Sequence, residues 1–228
     1  MRRNLPLQPG AVVDGRFRIE ELIGEGGFST VFRAIQESVG RPVAIKVMKT
    51  DVGAKGKGQR KARLDKLIAR FRREARIVAR LKSPATVTLH DFGRTEQNDI
   101  YMVLEYVDGT PLTRLRGERW EPARVVTVLE QALESVGEAH EHGIIHRDIK
   151  PGNLMLYEHL GTGDRLKILD FGIAKVLRAL DKETLQQITG ETKMVGTPRY
   201  LAPENAMNRE PGPAADIYAL GVVAYELN

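Results

Sequence analysis

Apolar and charged residues alternate from Phe17 to Ile23, the period-two signature of a strand with one buried face. Val31–Ile35, Pro42–Met48, Val87–Phe92 and Ile100–Tyr106 read as further strands, the last two joined by a polar turn from Arg94 to Asp99. Between Leu64 and Leu81 the spacing lengthens to three and four: Leu64, Leu67, Ile68, Phe71, Ala75, Val78 and Leu81 share one helical face. The first half therefore predicts a small five-stranded antiparallel sheet with one helix, preceded by an extended lead-in, Met1–Asp14. The second half is mainly helical. Pro122–His142 carries Val125, Val128, Leu129, Ala132, Leu133, Val136 and Ala139 on one face and stops at Gly143, a C-cap residue. Leu154–Leu156 and Leu166–Leu169 are short strands around a turn from Tyr157 to Arg165, and Asp216 opens a helix of buried character. The fold class is α+β in two lobes, residues 1–107 and 108–228.

Charge changes this picture in one place. The chain's net charge is +5, yet thirteen Lys or Arg fall between Lys49 and Lys82 against only Asp51, Asp65 and Glu74. A nucleic-acid surface would interleave aromatic residues for stacking, and only Phe71 lies in the run. No nucleic-acid partner is expected; a solvated face and a Gly- and Lys-rich insertion, Asp51–Arg63, account for the charge, with an acidic protein or phosphosegment partner as the other reading. There is no cysteine, hence no disulfide or thiolate metal site, which suits a reducing, cytoplasmic location. No run of about twenty apolar residues predicts a membrane segment.

The chemistry gathers in His146-Arg147-Asp148-Ile149-Lys150-Pro151-Gly152-Asn153, followed after a short apolar run by Asp170-Phe171-Gly172. Pro151 and Gly152 break regular structure, so a loop presents an acid, a base and an amide together. Phosphoryl transfer needs a positioned hydroxyl, metal ions on the phosphates and cations where negative charge spreads. Asp148 suits the first task, Asn153 and Asp170 are hard oxygen ligands for magnesium, and Lys150 suits the third. Gly24-Glu25-Gly26-Gly27-Phe28-Ser29-Thr30-Val31 adds a glycine turn between strands that lets backbone N–H groups approach an anion; a plain hairpin turn has the same composition. Lys46 interrupts an apolar strand, where a buried ammonium needs an anionic partner. Glu74 borders the apolar face of the following helix and is a candidate for that partner. His140, His142 and His159 read as surface histidines rather than metal ligands.

This set of motifs resembles the eukaryotic-type protein kinases, and in particular their bacterial Ser/Thr branch, across nearly the whole chain. Lys150 two residues after Asp148 resembles the Ser/Thr rather than the Tyr enzymes. The resemblance implies a two-lobed fold binding Mg·ATP between the lobes and transferring its γ-phosphate to protein Ser or Thr. It assigns Asp148 to the acceptor hydroxyl, Lys150 to the transferring group, Asn153 and Asp170 to magnesium, and Lys46 with Glu74 to the phosphates. The nucleotide would lie against Ile23, Gly24, Glu25, Gly26, Gly27, Phe28, Val31 and Ala44, with Leu104 beside the base and Glu105 and Val107 at the hinge. Ser29 stands where the family pattern has a third glycine.

Residues Asp170 to Glu204 would then be an activation segment. Phosphorylation of Thr189 or Thr192 is the expected switch, with Arg147 as the phosphate's partner, while Thr197 matches the position that contacts Asp148 and Lys150. Ala202-Pro203-Glu204 closes the segment, and Asp216 resembles the anchor of the catalytic loop, with a simple N-cap as its other reading. The family continues beyond Asn228 with further helices, so a truncated second lobe is expected, with Val222, Val223, Tyr225 and Leu227 exposed and no arginine for Glu204. Protein substrates, and self-association through the first lobe or that helix, are the partners expected. A catalytically weak kinase-like scaffold and a small-molecule phosphotransferase are the alternatives.

Overall fold

The computed structural model describes residues 7–26, 29–48, 69, 75–96, 99–158, 161, 163–171, 198–207 and 209–228. The chain divides into two compact units, residues 1–68 with 88–106 and residues 69–87 with 107–228. The boundary expected between residues 107 and 108 thus leaves out residues 69–87. Ile77, Val78 and Leu81 join the core of the second unit, and Ala85 and Val87 exchange backbone hydrogen bonds with Ile168 at 2.7 and 3.1 Å.

The first unit is a six-stranded antiparallel sheet: β1 Val12–Val13, β2 Phe17–Glu25, β3 Ser29–Gln36, β4 Arg41–Met48, β5 Leu89–Arg94 and β6 Ile100–Glu105, in the order β1-β2-β3-β4-β6-β5. Five strands were expected. The sixth comes from the lead-in, where Arg16 N–H closes a turn on Val13 O at 3.1 Å and lets Val12 and Val13 pair with Arg18 and Phe17. Alternation decides the faces. Phe17, Ile19, Phe32, Ala34, Val43, Ile45, Val47, Tyr101 and Val103 form one buried cluster. The other face carries the alternate residues. There the register sets Lys46 opposite Val31 and Met102, and Ala44 opposite Arg33 and Leu104.

The second unit holds α1 Pro122–Glu141, α2 Pro203–Ala206 and α3 Pro213–Leu227, with a three-stranded sheet of β7 Thr110–Pro111, β8 Leu154–Glu158 and β9 Asp164–Ile168. β7 was not foreseen. It lies so close to β8 that a Cβ on Gly109 would sit 2.4 Å from Leu156 O, which only glycine allows. The α1 face is nearly as read, but Leu133 is 44% exposed and Ser135 is buried, its hydroxyl 2.7 Å from that of Thr86. β8 and β9 run further into their turn than expected because α1 supplies polar partners. Gln131 bonds Leu166 N–H and Asp164 O at 3.0 and 3.2 Å, and Arg124 stacks on Trp120 while reaching Asp164 at 2.5 Å. Gly143, at φ 72°, turns the chain out of α1, and Ile144 N–H caps Ala139 O at 2.8 Å.

α3 begins at Pro213, three residues before the expected start, with Gly212 as its N-cap, so Asp216 lies inside the helix and is not a cap. Two of the residues expected to be exposed are buried: Val223 and Leu227 belong to the core cluster with Val136 and Ala139 of α1. Val222 packs against that cluster in part, and Tyr225 is exposed.

Candidate active site

In the second unit the chain between α1 and β8 forms a loop whose backbone is held from beneath. His146 N–H and Arg147 N–H donate to the two oxygens of the buried Asp216 carboxylate, each at 2.8 Å, and His140 Nε2 lies 2.8 Å from the same carboxylate. Arg147 takes φ 68°, a left-handed conformation that few residues with a side chain adopt. The His146 ring is fully buried and meets the Phe171 ring edge-on, with centroids 4.8 Å apart. Its Nδ1 accepts Asp148 N–H at 3.3 Å and its Nε2 faces Leu169 O at 2.8 Å, which puts the ring proton on Nε2.

Above this support the polar side chains converge on Asp148. Lys150 Nζ is 2.8 Å from Asp148 Oδ2, and Asn153 Nδ2 donates to the same oxygen at 3.0 Å and to Asp148 O at 2.7 Å. A 3₁₀ turn over Pro151–Asn153 makes this possible by folding Asn153 back over the loop. Both side-chain bonds fall on Oδ2, so the carboxylate is fixed by one oxygen and presents the other. Leu169 N–H donates to Asn153 O at 2.8 Å and ties the start of Asp170-Phe171 to the loop; Asp170 also takes a left-handed backbone, φ 66°.

The first unit carries the other group of expected residues. Val31, Ala44, Lys46 and Leu104 lie on the sheet face opposite the apolar cluster, and Lys46 is only 7% exposed. Ile23, Gly24 and Glu25 end β2, and Gly26 N–H donates to Ser29 O at 2.8 Å. Neither described glycine of this turn is demanded by the fold. A Cβ on Gly24 would meet Val31 Cβ at 3.7 Å and one on Gly26 would meet Ser29 O at 3.6 Å, both ordinary contacts. Glu105 ends β6 with its N–H on Thr88 O at 2.9 Å and its carboxylate on Thr88 N–H at 3.1 Å. Val107 is half-buried in the next stretch. Gly27, Phe28, Glu74, Thr189, Thr192, Thr197 and the insertion 51–63 lie outside the described residues.

The protein kinase domain family matches residues 17–228 of this chain. The chain belongs to that family. Among curated proteins, the kinase domain is 36% identical over 220 residues to the serine/threonine-protein kinase pkn3 of Myxococcus xanthus, covering 96% of this chain and 38% of that protein. It is 37% identical over 223 residues to the serine/threonine-protein kinase PknA of Mycobacterium tuberculosis, covering 95% and 47%. The chain thus spans less than half the length of these relatives. The crystal structure of the M. tuberculosis PknI kinase domain superposes with a TM-score of 0.69 at 24% identity, covering 97% of this chain and 77% of that one, and so shares the fold.

Several residues that shape the kinase domain's loop carry no local signal. His140 was read as a surface histidine and is instead a partner of Asp216, 76 positions away. Glu138 accepts Lys82 N–H and Ser83 N–H at 2.7 and 2.8 Å, anchoring to α1 the stretch that leads into residues 85–87. No helix among the described residues is long and apolar enough to cross a membrane.

Proposed function

We propose that this kinase domain transfers the terminal phosphate of Mg·ATP to Ser or Thr hydroxyls of proteins, in the cytoplasm. The observation that carries the reading is Asp148, held through Oδ2 by Lys150 and Asn153 on a loop clamped by Asp216. A carboxylate fixed in this way orients an acceptor hydroxyl at Oδ1 and takes its proton there as the oxygen attacks. Little else is asked of protein chemistry, since placement and fixed charge supply most of the acceleration in phosphoryl transfer.

The residues present fit a magnesium nucleotide. Among the described residues no three His, Cys, Asp or Glu groups come together as a self-sufficient metal cage. Magnesium instead takes one or two protein oxygens and completes its shell with phosphate and water. Asn153 and Asp170 are the proposed ligands: the Asn153 amide nitrogen is used on Asp148, leaving its oxygen as the end suited to a cation. When bound, the magnesium nucleotide supplies the phosphoryl group and shields its charge. Lys46 is the cation for the phosphates with Glu74 as its pair, and Val31, Ala44 and Leu104 are the apolar wall for the base, with Ile23, Glu105 and Val107 at its margins. The glycine turn, which the fold leaves unconstrained at Gly24 and Gly26, is where backbone approaches phosphate.

Incorporation of label from γ-labelled Mg·ATP into the purified chain and a generic protein substrate tests the reading. Transfer is expected, and Asp148→Asn should reduce it by about three orders of magnitude or more, as for other residues that act on the reacting hydroxyl. Equal transfer by the variant would rule Asp148 out as that group. Mapping the label in the active protein tests the switch: phosphate on Thr189 or Thr192, ordered by Arg147, is expected.

A further inference from the structure

The cavity beside Asp148 is lined by Arg147, Lys150, Tyr200 and Asn205. Tyr200 links it to a second charged group. Its hydroxyl donates to Glu226 Oε2 at 2.8 Å and accepts from Arg116, whose guanidinium also lies 3.2 Å from that oxygen. Burial, and then the Glu226 carboxylate, push the Tyr200 phenol up, so it stays a donor. Arg199 Nη1 pairs with the remaining oxygen, Glu226 Oε1, at 2.8 Å.

The outcome is asymmetric. Glu226 is 13% exposed, hydrogen-bonded through Oε2 and ion-paired but not hydrogen-bonded at Oε1, whereas the side chains of Arg116 and Arg199 are 46% and 65% exposed. A Lys or Arg on an approaching peptide would meet two guanidinium groups of like charge and a carboxylate already ion-paired. An Asp or Glu would meet the exposed N–H edge of Arg199, a planar donor set that matches a carboxylate.

We propose that Arg199, backed by Arg116, makes the surface beside Asp148 select peptides that carry Asp or Glu close to the acceptor Ser or Thr. The kinase reading supplies the acceptor; the charge preference stands on the Arg116–Tyr200–Glu226–Arg199 cluster. Arg199 is a specificity residue in this account and has no part in the transfer.

Two labelled Ser-containing peptides, identical except for Asp or Lys around the Ser, are titrated with the full chain and followed by fluorescence anisotropy. The acidic peptide is expected to bind more tightly. Arg199→Gln should shrink the acidic-to-basic preference by about two- to fivefold, the scale of one exposed ion pair. Arg199→Lys should retain most of it. Arg18→Gln removes the same net charge from the first unit, where Arg18 pairs with Glu37, and should leave the preference unchanged. A preference for the basic peptide, no preference, or an equal loss in Arg18→Gln overturns the proposal. Label transfer to the same peptides separates the two readings. Arg199-dependent binding without transfer would sink the kinase activity and keep the selection, and transfer indifferent to charge would do the reverse.

Discussion

Arg147 holds a left-handed backbone beside Asp148, the proposed catalytic carboxylate. For a residue with a side chain this costs about 1–2 kcal/mol. Two hydrogen bonds to an ionised carboxylate contribute about 1.5–3 kcal/mol each, so Asp216 more than offsets the strain. Asp216→Asn keeps the size but turns an NH₂ toward one of the two backbone donors. We expect a folded protein whose phosphate transfer drops about a hundredfold, because a slightly misplaced group loses that much; a wild-type rate would show that the anchor serves stability alone. At the glycine turn the expectation is opposite in kind. Gly24→Ala and Gly26→Ala meet no close atoms, so the melting temperature should hold or rise slightly, while Mg·ATP binding weakens by about tenfold, ~1.4 kcal/mol. A loss of stability with unchanged nucleotide affinity would mean the glycines serve the fold. The identities of Asp148, Lys150 and Asn153 were legible because their spacing is local. Their common target, Asp148 Oδ2, was not, since a side-chain direction inside a loop has no periodicity to reveal it.

Strands and helices were legible where one face is buried, and their ends were decided by partners the pattern does not contain. β2 shows the first case: alternation from Phe17 onward separates buried Phe17 and Ile19 from exposed Arg18. α1 shows the second, for Ser135 is buried in place of Leu133 because Thr86 waits for its hydroxyl. Tyr101 in β6 makes a comparable bond across the first unit, donating to Asp14 at 2.9 Å, while Arg16 joins Asp14 to Asp91. Burial first, then Asp14, push the Tyr101 phenol up to about 12. Its folded value lies above its ordinary one near 10, so the stability it contributes is complete below about pH 10 and disappears as pH rises toward 12. The loss is on the order of 2 kcal/mol. Urea midpoints measured from pH 9 to 11.5 should fall more steeply for the wild type than for Tyr101→Phe, and parallel slopes would contradict this.

For the molecule as a whole, the family and the α+β class were legible because short motifs recur in a fixed order along the chain. The distribution of residues between the two units was not: residues 69–87 precede two strands of the first unit yet fold with the second. Sequence order ranks neighbours by distance along the chain, and the core of the second unit gathers Leu81, Val136, Ile168 and Val223 regardless of it. The buried side of α3 was missed for that reason, since its cover comes from α1, far earlier in the chain. The Asp216 clamp has a consequence in time. Chains are made from the N-terminus, and domains take shape as they emerge. When His146 and Arg147 are synthesised, the carboxylate that accepts their amides is still 70 positions from being added. A ribosome-bound chain stalled before residue 216 therefore has every residue of the Asp148 loop but not the carboxylate that takes the His146 and Arg147 amides, so the loop's support is completed only once α3 has been made.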